Sequence, residues 1–280
     1  MSVKIAVITG TSSGFGLLTA VELARNGFKV VATMRDLARR PALDRAASAA
    51  GVAGNIDVRP LDITQTASIP ATIAAIHHDY GRIDVLVNNA GFAVAGFAED
   101  LTLDEIRLQF ETNFFGTVAL TKAVLPIMRA QRSGHIIMLS SVGGLHGSPV
   151  ISSYSASKHA LEGWSESLRL EVRSLGIRVV LIEPGAYATD IWTRNAHLGN
   201  GVSDARSPNL ERSQRMQKHV GKMPKRDPLE VARLIARVAQ DPNPRLRYLI
   251  GPDARIQMWL KRALPWKWHE KIVARAVKLD

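Results

Sequence analysis

Among its 280 residues the chain has no cysteine. That excludes a disulfide, a thiolate nucleophile and any Cys-ligated zinc or iron–sulfur centre. It fits a reducing compartment. No stretch approaches the roughly 20 apolar residues that a membrane span needs. The first apolar run, KIAVIT at 4–9, has the length of one strand and is too short for a secretory core region. The expectation is a cytoplasmic protein. Internal repeats and low-complexity tracts are also missing, and aromatics are only 6%. What remains is ordinary: 46% hydrophobic and 22% charged residues, enough to bury a core and too few charges for a disordered chain.

The net charge of +11 is unevenly placed. Residues 1–200 hold 18 Lys/Arg and 17 Asp/Glu, whereas residues 201–280 hold 18 and 8. A basic C-terminal region suits an acidic ligand, an acidic carrier protein or an anionic membrane face. A merely solvated surface explains it equally well. Nucleic-acid binding lacks a recognised motif here.

Apolar β-rich runs alternate with helical patterns. Strands are expected at 4–9, 28–34, 58–63, 83–90, 135–141, 177–184 and 247–251. Helices are expected at 14–26, 36–50, 65–80, 103–111, 113–131, 152–175 and 228–240. Strands apolar on both faces, separated by helices, imply an α/β fold: a single-domain doubly wound parallel sheet with helices on both faces. Ligands of such sheets sit at the carboxyl ends of the strands. Residues 193–226 break the rhythm and read as an insertion covering the site, about 190–226. A basic extension, about 252–280, carries Trp259, Trp266 and Trp268 and is interrupted by Pro265.

The first strand runs into Gly10-Thr11-Ser12-Ser13-Gly14-Phe15-Gly16 and then a helix. Glycines permit a sharp turn and close approach to a pyrophosphate, which the helix N-terminus attracts. The spacing is G-x-x-x-G-x-G rather than the standard G-x-G-x-x-G. After the second strand comes Met34-Arg35-Asp36. Arg35 offers a planar fork to a ribose 2′-phosphate, with Arg39 and Arg40 nearby. Asp36 reads as a helix N-cap, though it has the chemistry of a ribose-binding acid. The preferred cofactor is NADP(H), with NAD the less favoured choice.

Tyr154 and Lys158 stand four apart in a helical pattern, hence on one face. A neighbouring ammonium favours the phenolate and lowers its pKa, which suits proton exchange with a carbonyl or alcohol oxygen. Ser141 ends a strand at the ligand-binding edge, where its hydroxyl can bond a substrate oxygen. Asn113 is expected to start a helix. The adjacent His77 and His78 do not share a helix face, so no metal site is expected. Asp104, Glu105 and Glu111 read as a solvated helix face.

Together TGTSSGFG at 9–16, Asp62-Ile63, NNAG at 88–91, Asn113, Ser141, YSASK at 154–158 and Pro184-Gly185 followed by Thr189 resemble the short-chain dehydrogenase/reductase family. VVATMRD, SVGGLHG, HALEGWSESLRLEV and LRYLIGPDA are similar to its 17β-hydroxysteroid and retinol dehydrogenase-like branch. The resemblance implies Tyr154 as acid/base and Lys158 as its modulator and ribose contact. It implies Ser141 as the group orienting the substrate oxygen, and Asn113 as the holder of a relay water. Gly10, Ser12, Ser13, Gly14, Phe15 and Gly16 would line the phosphates, and Asp62 and Ile63 the adenine. Asn89, Gly91, Pro184, Gly185 and Thr189 would flank the remaining cofactor. Val142, Leu145, His146, Tyr187 and Trp192 are candidates for substrate contact, in an apolar cleft fit for a steroid- or retinoid-like ketone or alcohol. Alternatives are a reductase of β-ketoacyl groups on an acidic carrier and, less favoured, a non-enzymatic NADP-binding sensor. A homodimer or homotetramer is implied, with weak membrane-surface contact through the basic C-terminus as a further expectation.

Overall fold

The structure is a computed structural model and describes residues 3–192, 195–215 and 225–276, except the side chain of Trp192. Seven parallel strands form the sheet: β1 (Ile5–Thr9), β2 (Lys29–Met34), β3 (Ile56–Pro60), β4 (Val85–Asn88), β6 (Gly134–Leu139), β7 (Ile177–Pro184) and β9 (Arg247–Ile250). Their order is β3-β2-β1-β4-β6-β7-β9. The chain moves outward from β1 to one edge, then crosses back beyond β1 to build the other side. That reversal opens a crevice at the carboxyl ends of β1 and β4.

Alternation along each strand divides the core. Ala6 and Ile8 of β1 face one cluster, with Leu23, Leu234 and Ile235. Ile5 and Val7 face the other, with Ile73, Ile76, Leu120 and Met128. The first layer is covered by α1 (Gly14–Arg25), α2 (Pro41–Ala49) and α7 (Leu229–Val238). The second is covered by α3 (Ile69–Tyr80), α5 (Thr117–Gln131) and α6 (Ser152–Val172). Every β1 residue is buried, so both faces of the strand must be apolar. Each fully buried Ile or Leu contributes about 1.5–3 kcal/mol.

Several boundaries differ from the sequence expectation. The third strand is 56–60 rather than 58–63, because Asp62 closes a turn by accepting the Thr64 amide and hydroxyl. Asp36 caps a short 3-10 turn through the Ala38 N–H, and α2 begins only at Pro41. The helices expected at 103–111 and 113–131 are continuous. A π-helical turn, Glu111–Gly116, joins α4 (Leu103–Phe110) to α5 and holds Asn113 inside it. The insertion contributes β8 (Ala196–Leu198), paired parallel to β5 (Ala93–Ala95), a short strand missed in the sequence. Two helices, α8 (Pro252–Ala263) and α9 (Trp266–Ala276), form the C-terminal extension, separated at Pro265.

Candidate active site

The turn after β1 is built to be open and close-packed at once. Gly10 and Gly14 have φ of 68° and 55°, which side chains rarely adopt. A Cβ at Gly16 would lie 2.3 Å from the Gly10 carbonyl oxygen. Ser13 stands at the N-cap of α1 and makes no side-chain capping hydrogen bond, so its own hydroxyl does not occupy the first-turn N–H groups. The Asn89 amide donates to the Thr9 and Gly10 carbonyls at 2.7 and 3.0 Å, and the Thr9 hydroxyl accepts the Asn89 and Ala90 N–H groups. Asn89 therefore braces the turn rather than pointing away from it. Ser12, Ser13 and Gly14 remain half-buried, and Thr189 lies over Gly14. The Phe15 ring packs edge-on against Tyr187 at 5.7 Å, leaving only its backbone toward the turn. Ile63 likewise buries its side chain in the core.

Arg35 is exposed at the end of β2, and Met34 is buried. Arg40 is occupied by Asp44 at 2.9 Å. Asp36 is engaged as the cap described above.

Four residues from three elements, Asn113, Ser141, Tyr154 and Lys158, meet at the carboxyl edge of β4 and β6. Ser141 follows β6 and accepts the Gly143 N–H at 3.0 Å. Its hydroxyl also bonds the Tyr154 hydroxyl, which is buried near the start of α6. Asn113 is 1% exposed; its amide donates to the Phe92 carbonyl and to Ser157 Oγ, and its oxygen accepts the Phe92 N–H. The π-helical turn makes this clamp by rotating Asn113 out of the regular α register. Gly91 fits against it, since a Cβ there would lie 3.1 Å from Asn113 Oδ1. Gly116 is tighter still, since a Cβ there would lie 2.6 Å from the Ile63 carbonyl oxygen. Between Ser141 and Tyr154, Val150 has φ of 59°, a strained position for a β-branched residue. Its carbonyl accepts the Gly96 N–H at 2.8 Å, which helps hold it.

Electrostatics departs from expectation. Burial pushes the Tyr154 phenol up to about 12, against the opposite pull of the Ser141 hydrogen bond. Lys158 does not bring it down in the protein alone. Its ammonium donates to the Leu139 carbonyl at 2.6 Å and lies 5.8 Å from the Tyr154 ring centre. Burial draws Lys158 itself down to about 8, opposed by Glu162.

Two substrate candidates engage neighbouring protein groups. His146 is buried, and its ring nitrogens lie 3.0 Å from the Gly147 carbonyl and 2.6 Å from Gln257 Oε1. Both nitrogens are taken by the protein, so the ring ties α8 to the loop after Ser141. Tyr187 is a core residue under α1, with its hydroxyl 3.3 Å from Glu230. Val142 and Leu145 are half-buried on that same loop. The Trp192 side chain lies outside the described residues. Pro184 ends β7, and Gly185 meets the Asp253 carboxylate so closely that a Cβ would lie 2.2 Å from it.

Sequence reasoning missed the buried polar frame. Gln109 accepts the Val94 N–H at 2.7 Å and donates to the Phe92 carbonyl at 2.8 Å. Glu105 is not solvated. Burial alone would raise it, but the Thr102 and Asn200 N–H groups hold it below the usual carboxylate range. Arg247 reaches Glu162, Glu166 and Glu183 at 2.9, 2.8 and 3.0 Å. The T-x-x-E capping box at Thr102 was the available signal for Glu105. The Arg247 cluster joins residues 64 to 85 apart and has no local signal.

A family model for short chain dehydrogenases matches residues 4–197. An uncharacterized oxidoreductase of Bacillus subtilis, YusZ, is 42% identical, covering 98% of this chain and 99% of that one. Retinol dehydrogenase 8 of Bos taurus is 38% identical over 87% of this chain and 80% of its own. Mouse 17-beta-hydroxysteroid dehydrogenase type 1 is 36% identical over 89% and 74%. A short-chain dehydrogenase from Streptomyces avermitilis superposes with a TM-score of 0.82 at 33% identity, covering 97% of each chain. A metagenomic short-chain oxidoreductase in complex with NADP gives a TM-score of 0.70 at 27% identity over 89% and 96%. A Burkholderia phymatum relative in complex with NAD gives 0.77 at 25% over 94% and 95%. The phosphate-type turn, the clustered Asn, Ser, Tyr and Lys, and these likenesses lead to one conclusion: the chain belongs to the short-chain dehydrogenase family, in the branch of the retinol and 17β-hydroxysteroid dehydrogenases.

Proposed function

We propose that this protein is an NADP(H)-dependent oxidoreductase that interconverts a lipophilic ketone and its secondary alcohol. The observation that carries the reading is the hydrogen-bonded pair of Ser141 and Tyr154 hydroxyls, with Lys158 one turn further along α6. A carbonyl oxygen placed between the two hydroxyls receives two hydrogen bonds, which stabilise negative charge as it develops there. When bound, the nicotinamide cofactor gives or takes the hydride. In reduction Tyr154 Oη passes its proton to the carbonyl oxygen, while Ser141 keeps that oxygen oriented. In oxidation the proton returns to Tyr154. Lys158 supplies positive charge beside the phenol and a donor for the cofactor ribose. Asn113 holds the Phe92 backbone and Ser157, keeping α6 in register with the loop after β4; the relay water is proposed beside it.

The turn fits a dinucleotide. Gly10, Gly14 and Gly16 leave space that Cβ atoms would fill, and the α1 N–H groups face that space. Ser12, Ser13 and the Phe15 backbone would contact the phosphates. Asp62 and the Ile63 backbone would border the adenine. Asn89, Gly91, Pro184, Gly185 and Thr189 would frame the nicotinamide side. The exposed Arg35 supports NADP(H), because Asp36 is engaged as a cap and Arg40 by Asp44. Val142 and Leu145, with Trp192, would border an apolar substrate. Exposed Leu108, Phe115 and Leu170 support self-association, as a dimer or tetramer. The proposed setting is the cytoplasm, with contact at a membrane surface.

The experiment is NADPH and NADH consumption with steroid ketones, retinal, β-ketoacyl esters and aryl ketones. Turnover of bulky lipophilic ketones with NADPH supports the proposal. Turnover of β-ketoacyl compounds alone replaces it with the carrier-linked reading. Silence across the panel, with tight NADPH binding, overturns the enzymatic reading.

A further inference from the structure

Five of the exposed large apolar side chains among the described residues lie in the last two helices: Ile256, Trp259, Trp266, Trp268 and Ile272. The three tryptophans are 65%, 66% and 64% exposed. Spacing of three and four places Ile256, Trp259 and Ala263 along one stripe of α8, and Trp268 and Ile272 along one stripe of α9. Exposed basic residues flank both stripes: Arg255 and Arg262 on α8, Lys267 and Lys271 on α9. Residues 252–276 hold six Lys/Arg and two acids. An apolar stripe with Trp, edged by cations, has the chemistry of a helix lying in the interface of an anionic bilayer.

Two other occupants fit less well. A second copy meeting this face about a two-fold axis would bring cations against cations. A nucleic acid would use the cations and the indole faces but gives no role to Ile256 and Ile272.

The face is also fixed to the candidate active site. The Lys261 ammonium donates to the Leu145 carbonyl at 2.5 Å, and Gln257 meets His146. At the start of α8, Asp253 accepts the Ala186 N–H at 2.7 Å. The helix therefore bridges the loop after Ser141 and the segment after Pro184-Gly185, the two stretches that border the site.

We infer that α8 and α9 form a docking face for anionic lipid surfaces, held against the loops that border the active site. The docking face stands without the proposed reaction; entry of a lipophilic substrate from that surface rests on the proposed function.

The test is co-sedimentation of the full chain with vesicles of phosphatidylcholine alone and of phosphatidylcholine with one third phosphatidylserine. Binding to the anionic vesicles, weaker by about tenfold or more on the neutral ones, is expected. The double variant Trp259→Ser/Trp268→Ser, and separately Lys267→Glu/Lys271→Glu, should each lower anionic binding by about tenfold or more with unchanged Tm. All four side chains are exposed, so the fold tolerates them. Absence of binding, or equal binding to both vesicles, overturns the inference. So does a Trp variant that changes the oligomeric mass but not vesicle binding, or retention of the protein by DNA and not by vesicles. Sedimentation reads no turnover, so this result is distinct from any failure of the proposed reaction.

Discussion

Lys158 follows Tyr154 by one helical turn, yet its ammonium bonds the Leu139 carbonyl at 2.6 Å and stands 5.8 Å from the phenol ring. The lysine is thus held by the sheet edge, not by the tyrosine. The phenol stays protonated up to about 12, whereas the ammonium persists only below about 8. Ketone reduction needs the neutral phenol and the ammonium together. Its kcat/KM should be flat near neutrality and fall as pH rises through about 8, whereas alcohol oxidation should gain with pH. Glu162 raises the lysine pKa, so Glu162→Gln should move the descending limb to lower pH. Pre-steady-state and steady-state pH profiles check this; an unmoved limb removes Lys158 as its origin.

Tyr154→Phe removes the proton donor and leaves the ring. Turnover should drop by about a thousandfold or more, with NADPH affinity within about twofold of the parent. Fluorescence titration and a turnover assay on the same preparation read both quantities. Near-normal turnover would discard the assigned chemistry.

Gly16→Ala drives a methyl group toward the Gly10 carbonyl and the Asn89 amide. The turn must shift, at about 1–3 kcal/mol. We expect a lower Tm and at least about tenfold weaker NADPH binding. Calorimetry and titration decide between this and a neutral outcome.

Arg35→Ala should weaken NADPH binding by about tenfold or more while leaving NADH binding nearly unchanged. Equal loss for both cofactors would assign Arg35 to the fold rather than to the 2′-phosphate.

Arg247 is the counter-ion of two buried carboxyls. Burial pushes Glu183 up to about 8, with Glu162 adding to the rise and Arg247 opposing it. A carboxyl raised in the folded state contributes stability that is complete below its unfolded pKa and lost as pH rises through about 8. Arg247→Met should therefore destabilise by about 3–5 kcal/mol near pH 8, and by less near pH 5, where Glu183 holds its proton. Denaturant unfolding at the two pH values measures the difference.

The family motifs were legible because each is local. The strand-turn-helix at 5–25 follows from apolar residues meeting glycines, and the Tyr154–Lys158 spacing follows from helical period. Asp36 was legible as a cap for the same reason. The π-helical turn at Asn113 was not, because nothing in ETNFFG distinguishes it from an α-helix until Phe92 and Ser157 supply partners. Tyr187 and His146 looked available to substrate because their neighbours in the sequence are candidate site residues. Phe15, Glu230 and Gln257, all distant in the chain, claim them instead.

By itself the sequence determined the alternating α/β order, the glycine turn, the one-turn spacing of Tyr154 and Lys158 and the excess of positive charge near the C-terminus. All of these rest on periodicity, backbone freedom or composition over a short span. Tertiary structure alone decided that Lys158 bonds Leu139, that Arg247 gathers three glutamates, and that α8 is tied to the loop after Ser141. Those outcomes depend on which distant groups share a low-dielectric space. Burial then outweighs the Ser141 hydrogen bond in setting the pKa of Tyr154, a balance that spacing along the chain does not encode.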